Sequence, residues 1–218
     1  MGQVITLVET KKKYEPKNPR IEDRRYYYLT DEEIKKLKLA TTQYPAELQN
    51  TYHAMICLML YSGLRRDNVL NLKFEQIDWD NQVLRIHKAD IKTRLSTIVP
   101  FNDETGRYLR AVIGGRKDGY VFLHKTQGKD SQRRYTPAQI NNIVGSIGKK
   151  AGVLPKEKFK NVNPHLLRNT WVKKCKEAGV SREACKAWGG WKSFKMIDEV
   201  YGQPTIDQLK TEFSKVNW

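Results

Sequence analysis

No stretch of this 218-residue chain approaches about 18 consecutive apolar residues, so the sequence offers no membrane-spanning helix. The opening MGQVITLVETKKK lacks the apolar run and small-residue cleavage site of a secretory signal. Cysteine is scarce. Cys57, Cys175 and Cys185 are odd in number and widely spaced, which gives neither a disulfide framework nor a metal site. They are expected to be core thiols in a reducing compartment. The patterns GxxxxGK(S/T), paired CxxC and HExxH are all missing. Acid is also short: 24 Asp and Glu face 40 Lys and Arg, a formal charge of +16. That excess excludes an acidic protein and points to a polyanionic partner, although basic surfaces also serve membranes and solubility. Hydrophobic residues at 39%, with 5 Trp and 11 Tyr, exclude a disordered basic tail and suffice for one sizeable domain.

Residues 1–26 combine Lys11, Lys12 and Lys13 with Pro16 and Pro19, and read as a basic flexible leader or linker. Order is expected from residue 27. In YYYLTDEEIKKLKLA, Thr30 and Glu33 form a capping box before a helix that opens with three acids. PAELQNTYHAMICLMLYSG carries Leu48, Tyr52, Met55, Ile56, Met59 and Leu60 as a helical stripe, which Gly63 ends. A short helix over 66–72 follows. The period then changes to two in VLRIH and STIVP, with HKADIKTR as the connection, and this predicts a hairpin. YVFL after Gly119 reads as another short strand. Thr136, Pro137 and Gln139 open one helix, and Asn163 and Pro164 open the next. Ser181 opens a third, broken by Gly189 and Gly190, and FKMIDEVY is a fourth. In TIDQLKTEFSKV, Ile206, Leu209, Phe213 and Val216 mark the apolar face of a tail helix over 203–218, docking in cis or in trans. The expected fold is mainly α with a small antiparallel β-sheet.

Positive charge concentrates in residues 149–176, where nine basic residues face only Glu157. A solvated face mixes signs more evenly, so this stretch favours a polyanion-facing surface. Within it, His165 and Arg168 stand three apart on one helix face. Histidine moves protons near neutral pH, and arginine offers a rigid fork for phosphate. Arg65 follows the apolar helix directly and is held close to the domain. Lys92 sits in the hairpin connection, and Tyr201 ends FKMIDEVY. Taken singly, each has an ordinary structural reading: a satisfied histidine, an arginine paired with Asp67, a surface lysine, a packed tyrosine.

Their order changes the balance. SGLRRDNVLNL, IKTRLSTIVP, NPHLLRNTW, GGWKS and EVYG, in that sequence, resemble the tyrosine recombinase (phage integrase) family of archaeal, viral or plasmid type. The likeness covers residues 27–202. It implies a catalytic domain that cuts DNA through a tyrosine. Arg65 matches the first family arginine, Lys92 the hairpin lysine, His165 and Arg168 the HxxR pair, Trp191 a position held by His or Trp, and Tyr201 the nucleophile. Lys88 is the other candidate for the lysine; the spacing from Lys92 to Pro100 fits the hairpin better. Three departures stand out. Asn68 occupies a position that is commonly acidic, with Asp67 beside it. The family's Gly-His is Gly190-Trp191. The gap from Trp191 to Tyr201 is one residue longer than usual, which leaves Lys192 as an alternative register.

The resemblance implies a 3′-phosphotyrosyl intermediate, formed and resolved without metal, ATP or another cofactor. In residue terms, Arg65 and Arg168 would stabilise phosphoryl charge, and His165 would accept or orient the tyrosine proton. Lys92 would protonate the departing 5′ oxygen, and Trp191, which has only an indole donor, would hydrogen-bond a phosphoryl oxygen. Further DNA contacts are expected from Arg66, Lys88, Arg94, Lys149, Lys150, Lys160, Lys173 and Lys192. The implied partners are double-stranded DNA and other recombinase protomers assembled on it, with no membrane, in the cytoplasm or host cell interior. A catalytically silent duplex-binding module and a type IB topoisomerase-like enzyme are the alternatives.

Overall fold

The computed structural model describes residues 28–87, 96–125, 132–153, 161–201, 210–211 and 213–215. The expected leader, Lys88, Lys92, Arg94, Lys160 and most of the expected tail helix lie outside these residues. Within the tail, Phe213 is exposed. Among the described residues no helix is long and apolar enough to cross a membrane.

Helix α1 spans Asp31–Ala40 and starts at the capping box: Thr30 Oγ1 accepts from Glu33 N, and Glu33 reaches back to Thr30 N. Helix α2, Ala46–Tyr61, forms the centre of the fold. The sequence marks an apolar stripe on it, but every residue from His53 to Leu60 is buried. The reason is position: α2 is covered by a later helix, α4 (Asp103–Ile113), and by α6 (Pro164–Glu177). A helix enclosed in this way needs apolar residues all round rather than along one stripe. Gly63, with φ +60°, turns the chain out of α2 and into the short helix α3, Arg66–Leu70.

Three antiparallel strands follow in the order β1 (Ile77–Asp78), β2 (Val83–Ile86) and β3 (Thr97–Pro100). In their register Leu84 faces Val99 and Arg85 faces Ile98. Leu84, Ile86 and Val99 point into the core, whereas Ile98 is exposed, as period-two patterning requires. The β2–β3 hairpin is the expected one, and β1 is an addition.

Two features depart from the sequence reading. Helix α4 lies in a stretch that carried no expectation; Asn102 caps it, accepting from Thr105 N at 2.9 Å. YVFL is not a strand over its length. Val121 and Phe122 are fully buried connectors, and the strand β4 begins only at Leu123, pairing through Lys125 with β5 (Gln132–Arg134). An apolar run of that length satisfies a buried connector as well as a strand.

Helix α5 (Pro137–Lys150) has the expected Thr136–Gln139 capping box, and Asn163 caps α6 through Leu166 N. Helices α7 (Arg182–Gly189) and α8 (Lys195–Tyr201) complete the described fold. Trp171, Val172, Cys175 and Cys185 form a separate small core between α6 and α7, and Tyr201 packs against it. All three cysteines are buried free thiols.

Candidate active site

Arginine 65 emerges at the N-cap of α3, with the extended backbone that follows the turn at Gly63. Its Nη1 donates to the Gly189 carbonyl at 2.9 Å and its Nη2 to the Gly190 carbonyl at 3.2 Å. Arg168 lies in the second turn of α6 and is buried. Its Nη2 donates to the same Gly189 carbonyl at 2.5 Å, and its Nη1 donates to the Gly63 carbonyl. One carbonyl therefore receives a donor from each arginine, although the two residues are 103 apart in sequence.

Trp191 completes the group. Its ring lies 3.9 Å from Arg168 Cζ and 5.7 Å from Arg65 Cζ, cation–π distances in both cases. The sequence GGW builds this arrangement. Gly190 is left-handed, with φ 61° and ψ 42°, and ends α7. A Cβ on Gly189 would run into the Trp191 ring. Trp191, rather than the exposed Lys192, faces the arginines. Thr97 at the start of β3 ties the hairpin to this corner by donating to the Ala187 carbonyl at 2.6 Å.

Two cations held this close repel, and Arg168 is buried while Arg65 is partly so. Burial lowers the Arg65 pKa; burial and then the Arg65 charge push that of Arg168 well below its ordinary value. Guanidinium does not deprotonate in proteins, so the shift expresses unrelieved positive potential that an anion would neutralise. His165, in the first turn of α6, has its pKa lowered by partial desolvation and by Arg168. Both effects favour the neutral ring, the form that can accept a proton.

Tyr201 is placed differently. Its hydroxyl donates to the Val180 carbonyl at 3.0 Å, in the turn after α6. Burial and the Cys185 thiol raise its pKa above the ordinary phenol range. The structure thus brings Arg65, Arg168 and Trp191 together, puts His165 within electrostatic range of Arg168, and holds the Tyr201 hydroxyl against a backbone carbonyl. Asp67 does not support Arg65; it pairs with Arg66 at 3.0 Å, and the neighbouring Asn68 is buried. Lys149 and Lys192 are exposed, Lys150 lies 5.1 Å from the Tyr44 ring, and Lys173 pairs with Glu177 at 3.4 Å.

A profile of the phage integrase family matches residues 27–206. The chain belongs to that family. It is 30% identical over 189 residues to the integrase of Salmonella phage P22, covering 84% of this chain and 44% of that protein. It is 28% identical over 204 residues to the tyrosine recombinase XerA of Pyrococcus horikoshii, covering 91% and 64%. The chain thus spans less than two thirds of either relative. Its fold matches the crystal structure of XerA recombinase, with a TM-score of 0.66 at 20% identity over 93% of this chain and 67% of that one. It also matches the Tn1549 transposon integrase in complex with circular intermediate DNA, with a TM-score of 0.69 at 19% identity over 89% and 68%. The mainly helical architecture with a small antiparallel sheet is that of tyrosine recombinase catalytic domains.

In this phage integrase domain, sequence reasoning missed the carbonyls of Gly63 and Gly189 and the ring of Trp171. Trp171 follows Arg168 by three residues, the helical spacing that could have signalled a shared face. A second polar group, His53, Cys57 and Glu104, has metal-ligand composition. There Lys38 Nζ lies 3.1 and 2.9 Å from the two Glu104 oxygens, and His53 Nε2 lies 2.9 Å from one of them. The lysine ammonium already supplies the cation, so these residues do not fit a metal ion and instead join α1, α2 and α4.

Proposed function

We propose that this domain cleaves and rejoins duplex DNA through a covalent 3′-phosphotyrosyl intermediate on Tyr201. The observation that carries the reading is the pair of arginines on one carbonyl, Arg168 buried and neither paired with a carboxylate among their described contacts. A phosphodiester entering the cluster brings its negative charge to that potential. Charge growing on the phosphoryl oxygens during attack strengthens the same contacts, which is the differential stabilisation that catalysis needs.

Tyr201 Oη attacks phosphorus and forms the phosphotyrosyl bond as the bond to the 5′ oxygen breaks. His165 accepts the tyrosine proton, and Lys92 gives a proton to the 5′ oxygen. A 5′ hydroxyl from the same or another strand then reverses the step. The phosphodiester's bond energy is conserved in the ester, so the chemistry requires neither ATP nor a metal. Double-stranded DNA is the substrate, and exchange between two duplexes needs further protomers on the DNA.

The test uses a pool of nicked suicide duplexes with randomised centres, in which the strand end diffuses away after cleavage. Wild type is expected to give an SDS-stable protein–DNA adduct, and Tyr201→Phe none. Saturable, salt-sensitive binding with no adduct from wild type would identify a silent DNA-binding module. An undiminished adduct from Tyr201→Phe would reject Tyr201.

A further inference from the structure

Trp171 offers no polar atom to the arginines, yet it touches two of the three groups that hold Arg168, Gly63 and the Trp191 ring. We propose that Trp171 is a positioning residue that fixes the Arg65–Arg168 pair by backing the Trp191 ring and the Gly63 backbone at once. The inference rests on the strand-cleavage reading above.

Trp171 is buried and lies three residues beyond Arg168 on α6. Its ring stacks on Trp191 at 5.9 Å between centroids and 18° between planes. Trp191 in turn contacts both guanidinium groups. Elsewhere on the same ring, Trp171 presses on Gly63 so closely that a Cβ there would overlap its Cδ2, Cε3 and Cζ3 atoms. The Gly63 carbonyl accepts from Arg168 Nη1. One indole therefore braces the ring beneath both arginines and the backbone that orients one of them. A flat, rigid face is what this position requires; a branched or flexible apolar chain fills volume but cannot stack. Small displacements of positioning groups carry large rate costs, of order 10²-fold per ångström.

The experiment measures adduct formation at saturating DNA, using the suicide duplexes that wild type recovers from the randomised pool. Trp171→Leu is expected to slow the step by about 30-fold while DNA affinity stays within about 2-fold; Trp171→Phe, which keeps a flat face, stays within about 3-fold of wild type. In a Trp191→Ala background, Trp171→Leu should slow the step by clearly less than about 30-fold, because only its support of Gly63 remains to be lost. Equal slowing by Phe and Leu, or an undiminished Leu effect in the Trp191→Ala background, would show general core packing and overturn the proposal. If thermal melting shows that Trp171→Leu does not fold, Trp171→Met takes its place in the same comparison. Failure of wild type to form any adduct would overturn the cleavage reading and this inference with it; adduct formation insensitive to Trp171→Leu would overturn this inference alone.

Discussion

The Tyr201 hydroxyl donates to the Val180 carbonyl, at the opposite end of α6 from Arg168. Val180 N in turn donates to the Cys175 carbonyl, which fixes that carbonyl near the helix C-terminus. Seven residues separate Arg168 from Cys175, or about 10 Å along the helix axis. Attack on a phosphate therefore requires the Tyr201 hydroxyl, at the end of α8, to leave the Val180 carbonyl. The helix is held by Ile197, which is buried, and by an ion pair between Arg182 and Asp198. Both partners of that pair are substantially exposed, so it contributes at most about 1 kcal/mol.

Replacing Asp198 by Asn removes the pair while leaving the apolar docking. Adduct formation on suicide duplexes should accelerate, by no more than about 5-fold given that bound. Single-turnover kinetics measure it. A slower rate would show that the pair supports the reactive arrangement.

The acid limb of the pH–rate profile reports His165. Desolvation and the Arg168 charge lower its pKa from the ordinary 6.5, which favours the free base. As pH falls through that lowered value the ring protonates and can no longer accept the tyrosine proton. Cleavage should be flat at and just above about pH 7, where Lys92 keeps its proton, and fall toward tenfold per unit below the histidine pKa. His165→Gln should give a slower rate with that limb removed. A wild-type limb centred above 6.5 would contradict the assignment.

Gly63→Ala tests the corner that supports Arg168. The residue has φ +60°, and an added Cβ would meet the Trp171 ring. Backbone strain and overpacking together should cost about 2–4 kcal/mol. Chemical denaturation would show this as a lower midpoint. A cost below about 0.5 kcal/mol would mean that the Trp171 contact yields easily.

Much of the frame was legible because local chemistry determines it. Thr30, Thr136, Asn163 and Ser181 cap helices where their sequence positions indicate, and VLRIH and STIVP pair as alternation requires. Helix α4 was not read, although Asn102, Asp103 and Glu104 form a proper N-terminus. The full burial of α2 was not legible either, since it depends on helices packed from both sides. The arginines and Trp191 were found through motif order. The shared Gly189 carbonyl and the Trp171 brace are tertiary facts that no local pattern encodes.

Lys92 is distinguished by its leaving-group chemistry. Lys92→Ala should be strongly impaired on an ordinary duplex. It should recover on a 5′-bridging phosphorothiolate, whose sulfur leaves without protonation. Arg65→Ala and Arg168→Ala should not recover, because their role is charge on the phosphoryl oxygens. Equal defects of Lys92→Ala on both substrates would reject it as the general acid.

The most direct measurement identifies the linked residue itself. Adducts trapped from wild type on suicide duplexes are digested with nuclease and protease, and the peptide carrying the residual nucleotide is sequenced by mass spectrometry. The account predicts a 3′-phosphonucleotide on Tyr201 and nowhere else. A nucleotide on any other residue, or one joined through its 5′ phosphate, would contradict it.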